Sequence, residues 1–102
     1  MSLRKQYRKS GQPLCTVTFS LPKAAAKSAK TVHLVGEFNA WNKNAAPMKK
    51  LKNGSFSISV QLERNKEYQF RYLLNGENWE NDWNADRYVP NDQGGDNSVA
   101  VV

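Results

Sequence analysis

Four carboxyl groups, Glu77, Glu80, Asp82 and Asp86, fall within ten residues of one another, and hydrolysis of a glycosidic bond needs only two. Such a pair must flank the bond in a cleft that shifts one pKa. Carboxyl groups in one hairpin loop of a short chain are expected to stay solvated, so no catalytic residue is assigned. His33 is the sole histidine and Cys15 the sole cysteine. Neither a His-rich metal site nor an internal disulfide is available, and no metal or other cofactor is expected. GGDN at residues 94–97 lacks the strand and helix of a phosphate loop, and no nucleophile-elbow pattern occurs.

The aromatic residues point to binding instead. Trp41 follows an apolar strand and a glycine in VHLVGEFNAWNK (residues 32–43), where Asn39, Asn42 and Lys43 call for water. RYLLNGENWENDW (residues 71–83) places Trp79 and Trp83 in an equally polar setting. All three tryptophans therefore sit in or beside Asn-rich loops. Sugars present apolar C–H faces edged by hydroxyls, which suits flat indole surface surrounded by Asn, Gln and Arg.

Elements that could position these residues follow from a period of two. LCTVTFSL (14–21), SFSISVQL (55–62) and EYQFRYLL (67–74) alternate apolar and polar residues, with Phe56, Ile58, Val60, Phe70 and Tyr72 assigned to the core. Asn75-Gly76 supplies a hairpin turn, and residues 32–35 and 99–102 add short strands. LPKAAAKSAK (21–30) has no long apolar anchor after Leu21 and is read as a surface connection with at most one helical turn. The pattern predicts an all-β, immunoglobulin-like antiparallel β-sandwich over residues 14–102, preceded by a basic tail over residues 1–13. No stretch is long and apolar enough for a membrane span, and the N-terminus lacks a signal-peptide core, so a cytoplasmic location is expected. The net charge of +6 divides into +11 over residues 1–76 and −5 over residues 77–102. Acidic groups around Trp79 and Trp83 argue against nucleic acid as the partner.

With VHLVGEFNAWNK, EYQFRYLLNGENW and GGDNSVAVV, the chain resembles carbohydrate-binding module family 48 from about Leu14 onward. That family includes the glycogen-binding domain of the AMP-activated protein kinase β subunit and the early-set domains of isoamylases and branching enzymes. More narrowly, the chain is similar to stand-alone bacterial forms without a catalytic barrel. The resemblance implies an early-set sandwich with no enzymatic activity. It implies binding of an α-1,4-linked glucan polysaccharide or oligosaccharide, such as glycogen, starch or maltooligosaccharide, through Trp41, Arg71, Trp79 and Asn97. Asn39, Lys43, Glu77, Asn78 and Trp83 are the rim candidates. A plain two-residue turn would leave Trp79 opposite Tyr72, facing the core, whereas one bulged residue would set it beside Arg71. The alternative is a protein-interaction module docking through the same loops on a carbohydrate-active enzyme, a glycogen-metabolising one among them, or on another partner.

Overall fold

A computed structural model describes residues 3–7, 13–92 and 94–102. The alternating segments form β2 (Leu14–Leu21), β3 (Val32–Gly36), β5 (Phe56–Glu63), β6 (Glu67–Leu74) and β9 (Asp96–Val101). Shorter pieces complete the set: β1 (Leu3–Tyr7), β4 (Lys49–Lys50), β7 (Asn78–Glu80) and β8 (Arg87–Pro90). One sheet has the order β1-β2-β5-β4, and the other β3-β6-β9-β8 with β7 also on β6. Every pairing among the described residues is antiparallel, and the two sheets enclose one core, giving the expected all-β sandwich.

Aromatic packing holds the sheets together. Phe19 of β2 meets Phe70 of β6 edge-on with centroids 4.9 Å apart, and Phe70 meets Tyr72 at 5.7 Å. Phe56, Phe70 and Tyr72 are buried as expected, each contributing on the order of 1.5–3 kcal/mol by leaving water. Ile58 and Val60 keep their inward parity but are only half-buried.

Three expectations need correction. Residues 3–7, assigned to a basic tail, form edge strand β1, with Leu3 buried and Lys5 Nζ bridging 2.7 Å to Asp86 at the other sheet. Residues 1, 2 and 8–12 of that expected tail lie outside the described residues. Helical turn α1 (Lys23–Ala26) is more than a surface connection, because Ala25, Ala26 and the following Ala29 are buried against the core. Small side chains allow the backbone itself to approach closely, so no long apolar anchor is required.

The third correction concerns Asp82, which was expected in solvent and is 1% exposed. Its Oδ2 accepts the Tyr72 hydroxyl at 2.7 Å and its Oδ1 accepts the Asn84 N–H at 2.8 Å. Its own N–H donates to Ser98 Oγ at 2.9 Å, and its carbonyl accepts the Tyr88 hydroxyl. A buried carboxylate is tolerable here because its oxygens have donors. Burial pushes the Tyr72 phenol well above its ordinary range, and the Asp82 charge and hydrogen bond act in the same direction.

Phe70→Ala should destabilise the domain by about 3–5 kcal/mol in urea unfolding, while exposed Gln61→Ala should change little. Alkaline titration gives a second expectation. Neutral Tyr72 contributes stability that is complete below the ordinary phenol pKa of about 10 and declines as pH rises past it toward the raised folded value. Absorbance of phenolate should therefore show Tyr72 ionising together with unfolding, and Tyr72→Phe should flatten that alkaline loss.

Candidate functional site

Parity along β6 decides which side chains leave the core. Phe70, Tyr72 and Leu74 point inward, so Gln69, Arg71 and Leu73 share the outer face of their sheet. Cross-strand pairing extends this face to β3 through Val35↔Arg71, to β9 through Gln69↔Val99 and to β7 through Leu73↔Trp79. Asn97, two residues from Val99, joins the same face. Val35, Leu73 and Val99 are almost fully buried yet stand outside the inter-sheet cluster, forming an apolar layer on this face.

The hairpin after β6 contains the bulged residue that the sequence left open. Asn75 and Gly76, at φ 54° and 71°, make a tight turn closed by the Glu77 N–H on the Leu74 carbonyl at 3.0 Å. The ladder nevertheless pairs Leu74 with Asn78, so Glu77 is one residue extra. Trp79 is thereby turned to the side of Arg71. The Arg71 guanidinium lies 5.2 Å from the Trp79 ring centroid, and Lys43 Nζ lies 5.9 Å from it.

Trp41 is delivered by a loop whose backbone is tied back to β3. Gly36 ends that strand where a Cβ would meet the Gln69 carbonyl oxygen at 2.6 Å and Phe70 Cβ at 2.8 Å, so only glycine allows the approach. Asn39 clamps the loop, its Nδ2 donating to the Leu34 carbonyl at 2.9 Å and its Oδ1 accepting the Gly36 N–H at 3.1 Å. The Trp41 N–H donates to the Gly36 carbonyl at 2.9 Å. Ala40 and Trp41 both adopt left-handed backbone, at φ 56° and 57°. Two such non-glycine residues in succession are costly, and the surrounding hydrogen bonds hold them in place.

These elements converge on an open cavity of about 400 Å³. Trp41, Arg71, Trp79 and Asn97 all line it, with Lys43 beside them. The other rim candidates stand elsewhere. Asn39 serves the loop's hydrogen bonds, Glu77 and Asn78 line a neighbouring cleft, and Trp83, 53% exposed, lines neither. Gln69, Asn91 and Asp92 complete the cavity and were missed. Gln69 shares the parity of Arg71 two positions away, a signal that could have found it, whereas Asn91 and Asp92 come from a loop without periodicity.

Side-chain amides run across the cavity as a chain. Asn91 Nδ2 donates to Asn97 Oδ1 at 3.2 Å, and Asn97 Nδ2 donates to Gln69 Oε1 at 3.0 Å. Asn91 is itself held by Gly95, donating its N–H to the Gly95 carbonyl at 2.8 Å and accepting the Gly95 N–H at 3.1 Å. Burial lowers the Arg71 pKa and the charge of Glu80 acts against that, while a guanidinium stays cationic at any ordinary pH. Arg71 Nε is buried without a hydrogen-bond partner among the described residues. Of the clustered carboxylates, Asp82 is consumed by its buried network, while Glu80 pairs with Lys27 at 3.2 Å and Asp86 with Lys5. Among the described residues, no group of three metal-ligating side chains occurs and no helix is long and apolar enough to cross a membrane.

Two indoles thus wall an open cavity, crossed by amides, on the outer face of a β-sandwich. The chain belongs to the carbohydrate-binding module 48 family (isoamylase N-terminal domain), whose model matches residues 19–89. It is thus a non-catalytic carbohydrate-binding module. It is also similar to the 1,4-alpha-glucan branching enzyme GlgB of Photobacterium profundum, at 36% identity over 63 residues. That match covers 61% of this chain and 8% of the relative.

Asn39→Ala would leave the Gly36 N–H and Leu34 carbonyl without their side-chain partner. We expect a loss of about 1–3 kcal/mol in chemical unfolding and an altered Trp41 emission spectrum in the folded protein.

Proposed function

We propose that the cavity binds α-1,4-linked glucan, such as glycogen, starch or maltooligosaccharide, and that Trp41 is its main stacking platform. The observation carrying this reading is the convergence of Trp41, Trp79, Arg71 and Asn97 on one open cavity from four separate segments of the chain. A neutral sugar ring needs flat apolar surface, which the indoles supply at roughly 1–3 kcal/mol per stacked ring by analogy with bases. It also needs donors and acceptors around its edge. Arg71 brings a guanidinium, a donor-only group, to the cavity wall, and the Gln69–Asn97–Asn91 chain holds its amides in fixed orientation. The name of the branching-enzyme relative favours α-1,4-glucan over other carbohydrates. A cytoplasmic setting and action beside a glycogen-metabolising enzyme belong to the same proposal.

Titration with maltoheptaose, followed by intrinsic tryptophan fluorescence with cellulose oligomers as control, tests the reading. Trp41→Ala should weaken maltoheptaose binding ten-fold or more, roughly 1.4 kcal/mol, with the thermal midpoint nearly unchanged. Trp79→Ala should behave alike because its ring stands on the outer face, and Arg71→Ala and Asn97→Ala should weaken binding by removing polar contacts. Saturable binding should persist at high salt, since no counterions are released by a neutral ligand. Absence of any maltoheptaose response would reject the glucan assignment and favour docking on a protein.

A further inference from the structure

Trp79 stands between two clefts. On one side lies the cavity with Trp41, and on the other a second cleft of about 450 Å³ bounded by Ala26 at the end of α1, by Ala29 after it and by Asn75, Glu77, Asn78 and Glu80 of the hairpin. Between them runs β7, which pairs with β6 alone among the described residues, so its other edge keeps unpaired backbone groups. We propose that the glucan site does not end at Trp79 but continues over the open edge of β7 into this second cleft, where Glu77 and Asn78 contact the later sugar units of a longer chain. This inference rests on the glucan reading of the first cavity.

The second cleft has the chemistry of a sugar subsite. Its wall of Ala26, Ala29 and Leu74 is apolar, whereas Glu77 and Glu80 offer carboxylate acceptors and Asn78 offers both a donor and an acceptor. Glu77 and Asn78 are exposed and make no side-chain hydrogen bond among the described residues, so hydroxyls can reach them without breaking a protein contact. Glu80 is already oriented by Lys27 at 3.2 Å. The Asn75 side-chain oxygen is occupied by the Lys30 and Thr31 N–H groups at 2.8 and 3.2 Å, which fixes the far wall against the turn. The extra residue Glu77 thus has two effects: it turns Trp79 outward and itself lines the second cleft.

A chain engaging both clefts gains avidity that a short oligosaccharide cannot. The test compares maltotriose and maltoheptaose by calorimetry on the whole chain, with backbone amide shifts of Ala26, Ala29 and Leu74 as a local reporter. Maltoheptaose should bind at least ten-fold more tightly than maltotriose and should alone shift those amides. The paired change Glu77→Ala with Asn78→Ala should weaken maltoheptaose about five-fold or more and leave maltotriose unchanged. The single change Asn78→Ala, which spares the bulged position, should show the same length-dependent loss at smaller size. Equal affinity of both sugars, or a length preference that the paired change leaves intact, overturns the second subsite while the first cavity stands. Failure of both sugars to bind overturns the glucan reading and this inference with it.

Discussion

A strand's side chains alternate strictly between its two sides, and along β6 that alternation ties the outer face that carries the cavity to the core. A one-residue slip would carry Arg71 and Gln69 inward and bring Phe70 and Tyr72 out. An unpaired guanidinium in an apolar interior costs several kcal/mol, and each lost aromatic burial adds to that. The register that satisfies the core therefore also sets Gln69, Arg71 and, through the ladder, Asn97 on one surface. Precision at the surface is inherited from packing beneath it. The bulged Glu77 extends the same rule to β7, where one additional residue is enough to reverse which way an indole faces.

Loops contribute the rest of the face, and each is secured by a different device. The segment after β3 depends on the missing Cβ of Gly36 and the two-ended amide of Asn39. The segment after β7 closes around Asp82, whose backbone and side chain join Tyr72, Ser98, Asn84 and Tyr88. The segment after β8 is folded on itself by Asn91 and Gly95. None of these depends on a regular hydrogen-bond ladder, and each pairs polar groups of its own loop.

The long strands were legible because alternation of residues such as Phe56, Ile58, Val60 and Leu62 has one physical meaning at an interface between water and an apolar layer. The meeting of Trp41 with Arg71, Trp79 and Asn97 was reached through family resemblance, because no local pattern relates segments so far apart. Whether Trp79 faced core or surface depended on a single bulge, which Asn-Gly allows but does not require. Asn39 looked like a rim contact because Asn is polar, and only the fold shows that Leu34 and Gly36 take both ends of its amide. Asp82 was misread for the related reason that nothing in the spacing reveals four converging partners. Leu3–Tyr7 was concealed by its charges, which suit an edge strand as well as a tail.

If Trp41 stacks on a sugar ring as proposed, the left-handed backbone at Ala40 and Trp41 has a consequence for how recognition is driven. A loop that has already met its conformational cost during folding loses little freedom when a ligand arrives. The indole is rigid, with few torsions to freeze, and its main-chain nitrogen is already engaged. The heat-capacity change on association should then reflect the covering of ring surface alone, without the larger signature of a segment that folds as it binds. Differences among ligands would accordingly appear in how long each stays rather than in how fast each finds the surface.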